Sequence, residues 1–129
     1  MQTFKKEERL CNFNAIDTLF AKGQSFFIYP FKIVWMDYET CCNSPAQLLI
    51  SVPKRNFKHA VDRNLLKRQI REAYRHQKNI LYDYLSGKGR KCALAIVFTG
   101  KNKVPFAQIE GIINLSLQRL VKEYEVFTG

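Results

Sequence analysis

A dense run of positive charge, residues 54–78, is the feature that most constrains how this chain folds. The run, KRNFKHAVDRNLLKRQIREAYRHQK, holds nine Lys or Arg and two acids, so +7 of the formal net charge of +10 lies in 25 residues. Wound at about 100° per residue, it places Leu66 and Ile70 on a stripe that a core would bury. The run therefore predicts an amphipathic helix. Its polar side forms a cationic arc of roughly 140°, made of Arg63, Asn64, Lys67, Arg68, Arg71 and Arg75.

The charges on the cationic arc do not alternate in sign, which distinguishes this helix from an ordinary solvated surface. Arg63, Lys67 and Arg71 follow one another at a spacing of four residues. Like charges at that spacing destabilise an isolated helix by a few tenths of a kcal/mol per pair. Because a polyanion would neutralise the repulsion, the pattern favours contact with nucleic acid over a face that only confers solubility.

Length and composition limit the remaining classes. The 129 residues predict one domain over 1–129, which the cationic arc indicates is nucleic-acid-binding, and a hydrophobic content of 47% excludes a disordered basic tail. The chain contains no apolar run long enough to span a membrane and no secretory signal at its N-terminus. We therefore expect a cytoplasmic protein with no membrane partner.

The four cysteines do not indicate a metal or a disulfide framework. Cys41 and Cys42 are adjacent, Cys11 and Cys92 are isolated, and no C-x-x-C is present. Without a secretion signal we expect reduced thiols, with Cys92 buried inside an apolar strand.

The hydrophobic pattern predicts a single-domain α+β sandwich with helices packed on a central sheet. Asn14 is the expected cap of the first helix, Gly23 its end, and Pro30 an edge or a bulge in the first strand. If strands 46–52 and 92–99 are parallel neighbours, a right-handed crossover is the general expectation. The predicted order is helix 14–22, strand 26–36, hairpin-like connection 37–46, strand 46–52, basic helix 59–82, loop 83–91, strand 92–99 and helix 105–124.

Two segments give the chain a resemblance to a known family, the protein subunit of bacterial ribonuclease P. They are SVPKR at 51–55 and AVDRNLLKRQIREAYR at 60–75. Leu65 departs from the family pattern, which has Arg there, and Ile16 stands where many relatives carry Phe. The similarity extends over nearly the whole chain, although only 51–75 is specific. The residues that match the family's helix signature in order are Arg63, Asn64, Lys67, Arg68, Arg71, Glu72 and Tyr74.

The resemblance implies a fold, a function and a set of partners. The family fold is α-β-β-β-α-β-α with a left-handed crossover through the basic helix. Its complex removes the 5′ leader of precursor tRNA, and a large RNA subunit with bound Mg²⁺ performs the hydrolysis. By this resemblance we expect the ribonuclease P RNA and precursor tRNA as partners, no DNA, no catalytic residue in this chain and no cofactor or metal bound by the protein.

The resemblance also implies two sets of binding residues. Arg side chains fork onto phosphate oxygens, whereas Lys acts as a point charge. Asn64 has a second interpretation, because its side chain could instead fix the first turn of the helix. The residues expected to bind the RNA subunit are Lys54, Arg55, Lys58, Arg63, Asn64, Lys67, Arg68, Arg71 and Arg75.

The second expected site is a cleft between the sheet and the first helix that holds the single-stranded leader. Unpaired bases stack on aromatic rings there. On composition alone Phe20 and Phe31 are better explained as core residues, and only the resemblance raises the cleft interpretation to parity. Lys32, Ile33 or Trp35 joins the set, depending on which face of the strand points outward. The candidates are Phe20, Lys22, Phe31 and Ile33.

Three rival interpretations fit the sequence less well. A structural RNA-binding protein of the ribosomal type would also present a basic helix. A helix-turn-helix DNA regulator needs a short helix just upstream, and the β-rich segment 46–56 argues against it. A standalone nuclease needs a metal-binding acidic cluster or a general base. His59 is better explained as a helix-start or phosphate contact, and it lies 17 residues from His76.

Overall fold

The computed structural model describes residues 8–38 and 44–128 as four helices and four strands. The predicted α+β class is confirmed. In chain order the elements are α1 (Phe13–Lys22), β1 (Gln24–Ile28), β2 (Phe31–Asp37), β3 (Ala46–Ser51), α2 (Ala60–Gln77), α3 (Asn79–Lys88), β4 (Cys92–Phe98) and α4 (Phe106–Thr128).

The strands form one mixed sheet in the order β1-β2-β4-β3. β2 pairs antiparallel with both β1 and β4, while β3 pairs parallel with β4. The two strands that flank the basic helix are therefore parallel neighbours, and the chain between them is a crossover. The left hand of that crossover stays a prediction from the family resemblance.

The main core lies between one face of the sheet and the helices α2 and α4. α2 buries Leu66 and Ile70 there, as their helical spacing predicts. β4 has a neighbour on each side and is almost wholly buried, including the Cys92 thiol. Burial raises the pKa of Cys92 to about 12, which keeps the thiol protonated. From α4 the buried residues are Ile109, Ile113, Leu117, Leu120 and Tyr124.

The opposite face of the sheet carries a smaller apolar cluster under α1. Leu19 of α1 is fully buried and packs with Val34 of β2 and with Ala93 and Ala95 of β4. The small alanines on this face of β4 leave room for a helix to approach closely. Gly23 ends α1, as predicted, and its N–H donates to the Leu19 carbonyl.

Three local predictions need correction. Residues 26–36 form a hairpin rather than one strand, and Pro30 lies in its turn after a cis Tyr29–Pro30 bond. Aromatic and β-branched residues on both sides of the turn conceal it in the sequence. The connection 37–46 does not join hairpin partners, because β2 and β3 are separated by β4; its residues 39–43 lie outside the described part of the chain. Asn12, not Asn14, caps α1 by accepting from the Ala15 N–H at 3.1 Å.

The basic helix and the following loop also differ from the prediction. The helix divides at Lys78 into α2 and α3, and α3 continues to Lys88 through most of the predicted loop 83–91. Gly87 is exposed within α3, and a Cβ added there would meet no other atom, so no close contact requires glycine at this position. Gly89 ends α3 with φ +63°, a left-handed conformation that favours glycine.

A buried ion pair ties the N-terminal segment to the junction of α2 and α3. The ammonium of Lys78 lies 2.8 and 3.0 Å from the two carboxylate oxygens of Glu8, and both side chains are almost completely buried. The Tyr82 hydroxyl donates to the same carboxylate at 2.5 Å. Glu8 and Lys78 are 70 positions apart in the sequence. The charge pattern alone therefore did not predict their pairing.

Substitution of Lys78 by Met should destabilise the protein by about 3 to 5 kcal/mol, because it leaves the Glu8 carboxylate buried without its cation. Chemical denaturation measures the loss. The matched control is Arg90→Met, which removes one partner of the more exposed Arg90–Asp37 pair and should cost about 1 kcal/mol or less. Equal losses in the two variants would contradict a structural role for the buried pair.

Candidate nucleic-acid interface

The cationic arc of α2 is oriented by the apolar stripe on the same helix. Since Leu66 and Ile70 are buried, the basic side chains are held away from the core. The arc is not uniformly exposed: Asn64 and Arg68 lie in solvent, whereas one row adjoins the apolar stripe and is half-buried. That row consists of Arg63, Lys67 and Arg71.

The loop that leads into α2 adds three exposed cations to the same end of the helix. They are Lys54, Arg55 and Lys58. The loop follows the buried Val52 and returns to the core at Phe57, so its backbone is anchored at both ends. His59 is the residue before the first turn of α2 and makes no side-chain capping bond.

Arg63 has a structural role that the sequence did not indicate. Its Nη1 donates to the carbonyl of Phe57 at 2.7 Å and to that of Lys58 at 3.0 Å. The guanidinium therefore fastens the entry loop to the first turn of α2. Because these bonds depend on the folded path of the loop, no spacing in the sequence could have revealed them.

Arg75 differs from the other predicted binding residues because its charge is matched by an acid. It forms an ion pair with Glu72, and the Arg75 guanidinium holds the pKa of that carboxyl below its usual value. His76 lies 3.0 Å from Glu72 and 3.2 Å from Glu110 of α4. Arg75 thus belongs to a link between α2 and α4, which reduces the charge it can offer to a ligand.

The predicted cleft residues divide between the two faces of the sheet, and two of them must be corrected. Phe31 and Ile33 are 0% and 1% exposed in the main core under α2 and α4, so no base can stack on them. Trp35 is buried with them. Side chains alternate along β2, and α1 packs on the face of Val34. The side chains of residues 31, 33 and 35 therefore point to the opposite face of the sheet, away from α1.

Phe20, Lys22 and Lys32 remain accessible on the α1 side of the molecule. Phe20 is 49% exposed, and both lysines lie in solvent. Lys32, an alternative that the sequence left open, lies on the same face of β2 as Val34, the face on which α1 packs. Because about half of Phe20 is exposed to solvent, the interpretation of this ring as a core residue is wrong.

Two further exposed aromatics on this side were missed. Phe27 is 52% exposed and lies directly across the strand pair from Lys32. Tyr29, in the hairpin turn, is 69% exposed, and its ring centroid lies 6.2 Å from that of Phe27. A hairpin at these positions would have predicted this placement. Side chains alternate along β1, so Phe27 lies on the other face of the sheet from the buried Phe26.

The sheet register connects these aromatics to the basic loop. One row of side chains crosses the four strands on the α1 side, and the strands are about 4.8 Å apart. Its member on β3 lies three residues before Lys54 in the sequence. From edge to edge it consists of Phe27, Lys32, Val97 and Ser51.

The family model described as Ribonuclease P matches residues 4–125. The chain belongs to the ribonuclease P protein family. The ribonuclease P protein component of Porphyromonas gingivalis is 33% identical over 115 residues, which cover 89% of this chain and 84% of that protein. The corresponding protein of Chlorobium phaeobacteroides is 34% identical over 112 residues, 80% of this chain and 76% of that one.

Solved ribonuclease P proteins have the same fold. The Staphylococcus aureus protein superposes with a TM-score of 0.70 at 20% identity, covering 88% of this chain and 94% of the other. The Thermotoga maritima protein gives 0.70 at 21% identity, with coverage of 87% and 96%. These structures confirm the fold, while the family model and the curated relatives confirm the predicted family. A ribonuclease P protein takes part in tRNA processing with an RNA subunit.

Substitution of Arg63 by Lys should destabilise this ribonuclease P protein by about 1 to 3 kcal/mol, because the ammonium cannot hold both loop carbonyls in the geometry of the guanidinium. Denaturant unfolding measures the effect. Arg68→Lys, an exposed change on the same helix, is the control and should alter stability by less than about 0.5 kcal/mol. An unchanged stability of Arg63→Lys would show that the loop does not depend on this contact.

Proposed function

We propose that this ribonuclease P protein binds its RNA subunit through the cationic arc and entry loop, and the 5′ leader of precursor tRNA through the α1 side of the sheet. The observation that carries the proposal is the fixed orientation of α2. Its buried stripe holds the basic residues outward as one surface, while a separate exposed aromatic surface lies on the other side of the sheet.

The surface proposed for the RNA subunit consists mainly of exposed cations. Within the described residues, four of these cations form no ion pair with an acid: Lys54, Arg55, Lys58 and Arg68. Arg side chains donate to phosphate oxygens in pairs. Asn64, in solvent beside Arg68, supplies an uncharged donor. Arg63 acts mainly by holding the loop, and Arg75 contributes less because of Glu72.

The surface for the leader combines rings with cations. Bases stack on Phe20 and Phe27, and Lys22 and Lys32 neutralise the backbone that joins them. Tyr29 extends the aromatic surface at the hairpin turn. The row of side chains across the sheet supports a path for single-stranded RNA from these rings to the basic loop.

The chemistry is assigned to the RNA subunit and its Mg²⁺, in keeping with the resemblance. The two histidines support this division. They stand at the start and near the end of α2, and 17 residues of helix separate them by about 25 Å, too far to act on one phosphodiester. His76 is also engaged by Glu72 and Glu110. In keeping with the resemblance, we further propose that the protein acts in the bacterial cytoplasm. Within residues 8–38 and 44–128, no helix is long and apolar enough to cross a membrane.

The direct test is cleavage of 5′-labelled precursor tRNA by a bacterial ribonuclease P RNA at low Mg²⁺, with and without the protein. The protein should stimulate cleavage strongly, and Arg68→Ala should lose most of the stimulation. Lys88→Ala, an exposed charge change at the end of α3, should retain it. Tight RNA binding without stimulation of the cognate RNA would instead identify a structural RNA-binding protein.

Affinity for the RNA subunit should fall steeply with salt. If about six phosphates are neutralised, the association constant decreases about a thousandfold between 50 and 200 mM salt, and removal of Arg68 lowers the slope of log K against log salt by about one. Filter binding or fluorescence titration over this range measures both quantities. A slope that Arg68→Ala leaves unchanged would exclude that residue as a phosphate contact.

The aromatic surface should determine the preference for precursor over mature tRNA. Loss of one stacked base costs about 1 to 3 kcal/mol, or roughly 5- to 150-fold in affinity. Phe27→Ala should therefore weaken binding of precursor tRNA by the holoenzyme and leave mature tRNA unaffected. The control is Leu115→Ala, an exposed apolar residue of α4. Equal losses for both tRNAs would place Phe27 outside the leader site.

A further inference from the structure

A groove between the strand β1 and the outer side of α4 lies apart from both surfaces proposed for RNA. Its volume is about 380 Å³, comparable with sites that hold small ligands. Ile28 of β1 and Val126 of α4 contribute apolar walls, and none of its described lining residues belongs to α1, α2 or the entry loop. Val126 is 81% exposed, and Ile28 is only partly buried against the main core. The protein therefore leaves apolar surface open beside one edge of its sheet.

The two edges of the sheet differ in how their backbone groups are covered. At the β3 edge, Arg9 forms a bridge with Leu48, and the Leu10 N–H donates to the Leu48 carbonyl at 2.9 Å. Within residues 8–38 and 44–128, β1 pairs with β2 alone. Alternate N–H and C=O groups along the outer edge of β1 are therefore open to a further strand.

The composition of β1 does not protect this open edge. Edge strands are commonly blocked by a lysine, by another charged side chain or by a proline. The sequence of β1, QSFFI, contains none of these. An open, uncharged edge beside an apolar groove suits an extended peptide, which forms backbone bonds along the edge and inserts alternate side chains into the groove.

The rim of the groove favours an acidic partner. Arg119 and Lys122 are exposed there, and Glu123 is the one acid among the described lining residues. The Arg119 guanidinium lies over the Phe26 ring, 4.8 Å from its centroid, which holds it close to β1. Its Nη2 atom lies 4.0 Å from Oε1 of Glu123, which is too long for a hydrogen bond. Arg119 can therefore donate to an incoming carboxylate.

We propose that β1 and this groove bind an acidic, extended segment of a partner protein as an additional strand of the sheet. The segment pairs with β1 through its backbone and places an apolar side chain between Ile28 and Val126. An acidic side chain two residues away points to the same side and contacts Arg119 or Lys122. A second copy of this chain is a poor occupant, because two chains with a net charge of +10 each repel one another.

A blocked seven-residue peptide in which Thr alternates with Leu, Glu and Leu tests the site. Fluorescence anisotropy of the labelled peptide should show saturable binding. Val126→Glu should weaken that binding about tenfold, because it puts a charge in the apolar wall, and the exposure of Val126 lets this variant keep the fold. Lys88→Glu changes the net charge further but lies at the end of α3, and it should leave the affinity unchanged. Equal weakening in both variants, or no saturable binding, would overturn the proposal.

Amide NMR of the unaltered protein, titrated with the same peptide, locates the bound strand. The signals of Ser25, Phe27 and Val126 should shift, and hydrogen exchange along the outer edge of β1 should slow. A peptide with Ser in place of both Leu keeps the charge and should leave β1 unchanged. Shifts confined to α2 and the entry loop would mean that the peptide binds the cationic arc through its carboxylate, and would overturn the proposal.

Two further measurements distinguish the partner segment from other occupants of the groove. Val126→Glu should leave the sedimentation coefficient of the protein unchanged, and the peptide should bind equally well after assembly with the RNA subunit. A dimer that Val126→Glu dissociates would place a second copy in the groove and overturn the proposal. Loss of peptide binding on assembly would place RNA there, with the same consequence.

Discussion

The burial of one stripe of α2 is the constraint on which the rest of this structure depends. Leu66 and Ile70 insert between the sheet and α4, and this contact fixes the rotation of α2 about its axis. A helix with many like charges is a poor helix on its own, because their repulsion opposes it. Tertiary packing supplies the stability that the charge pattern removes, and the protein can therefore present a dense cationic surface without neutralising it internally.

The sheet serves two purposes because its faces carry different side chains. On β4, Leu94 and Ile96 fill the main core, while Ala93 and Ala95 on the other face admit α1 closely. α1 covers only part of that face, and the uncovered part carries the exposed side chains of Phe27 and Lys32. The large core and the open surface are thus consequences of one alternating pattern along the strands.

The elements with strong periodicity could be predicted from the sequence, and so could the α+β class. The cationic arc followed from the spacing of residues in α2 alone. The face of β2 that is open to solvent could not be predicted, because it depends on which helix covers which side. Phe31 was therefore placed in the cleft although it lies in the core.

Contacts between distant segments account for the other residues that sequence reasoning missed or assigned incompletely. The role of Arg63 depends on the path of the entry loop, because its guanidinium holds the carbonyls of Phe57 and Lys58. Local spacing contains no information about such neighbours. The Glu8–Lys78 pair is a further instance, since charge counting places Lys78 among the surface cations and the fold buries it.

The central claim is that two different RNAs contact two different sides of this protein. Photo-crosslinking in the assembled holoenzyme with precursor tRNA tests it most directly, with a benzoylphenylalanine placed at exposed Leu65 of α2 or at exposed Ala21 of α1. The account predicts crosslinks from position 65 to the RNA subunit and from position 21 to the 5′ leader. Crosslinks from both positions to the same RNA, or the reverse assignment, would contradict it.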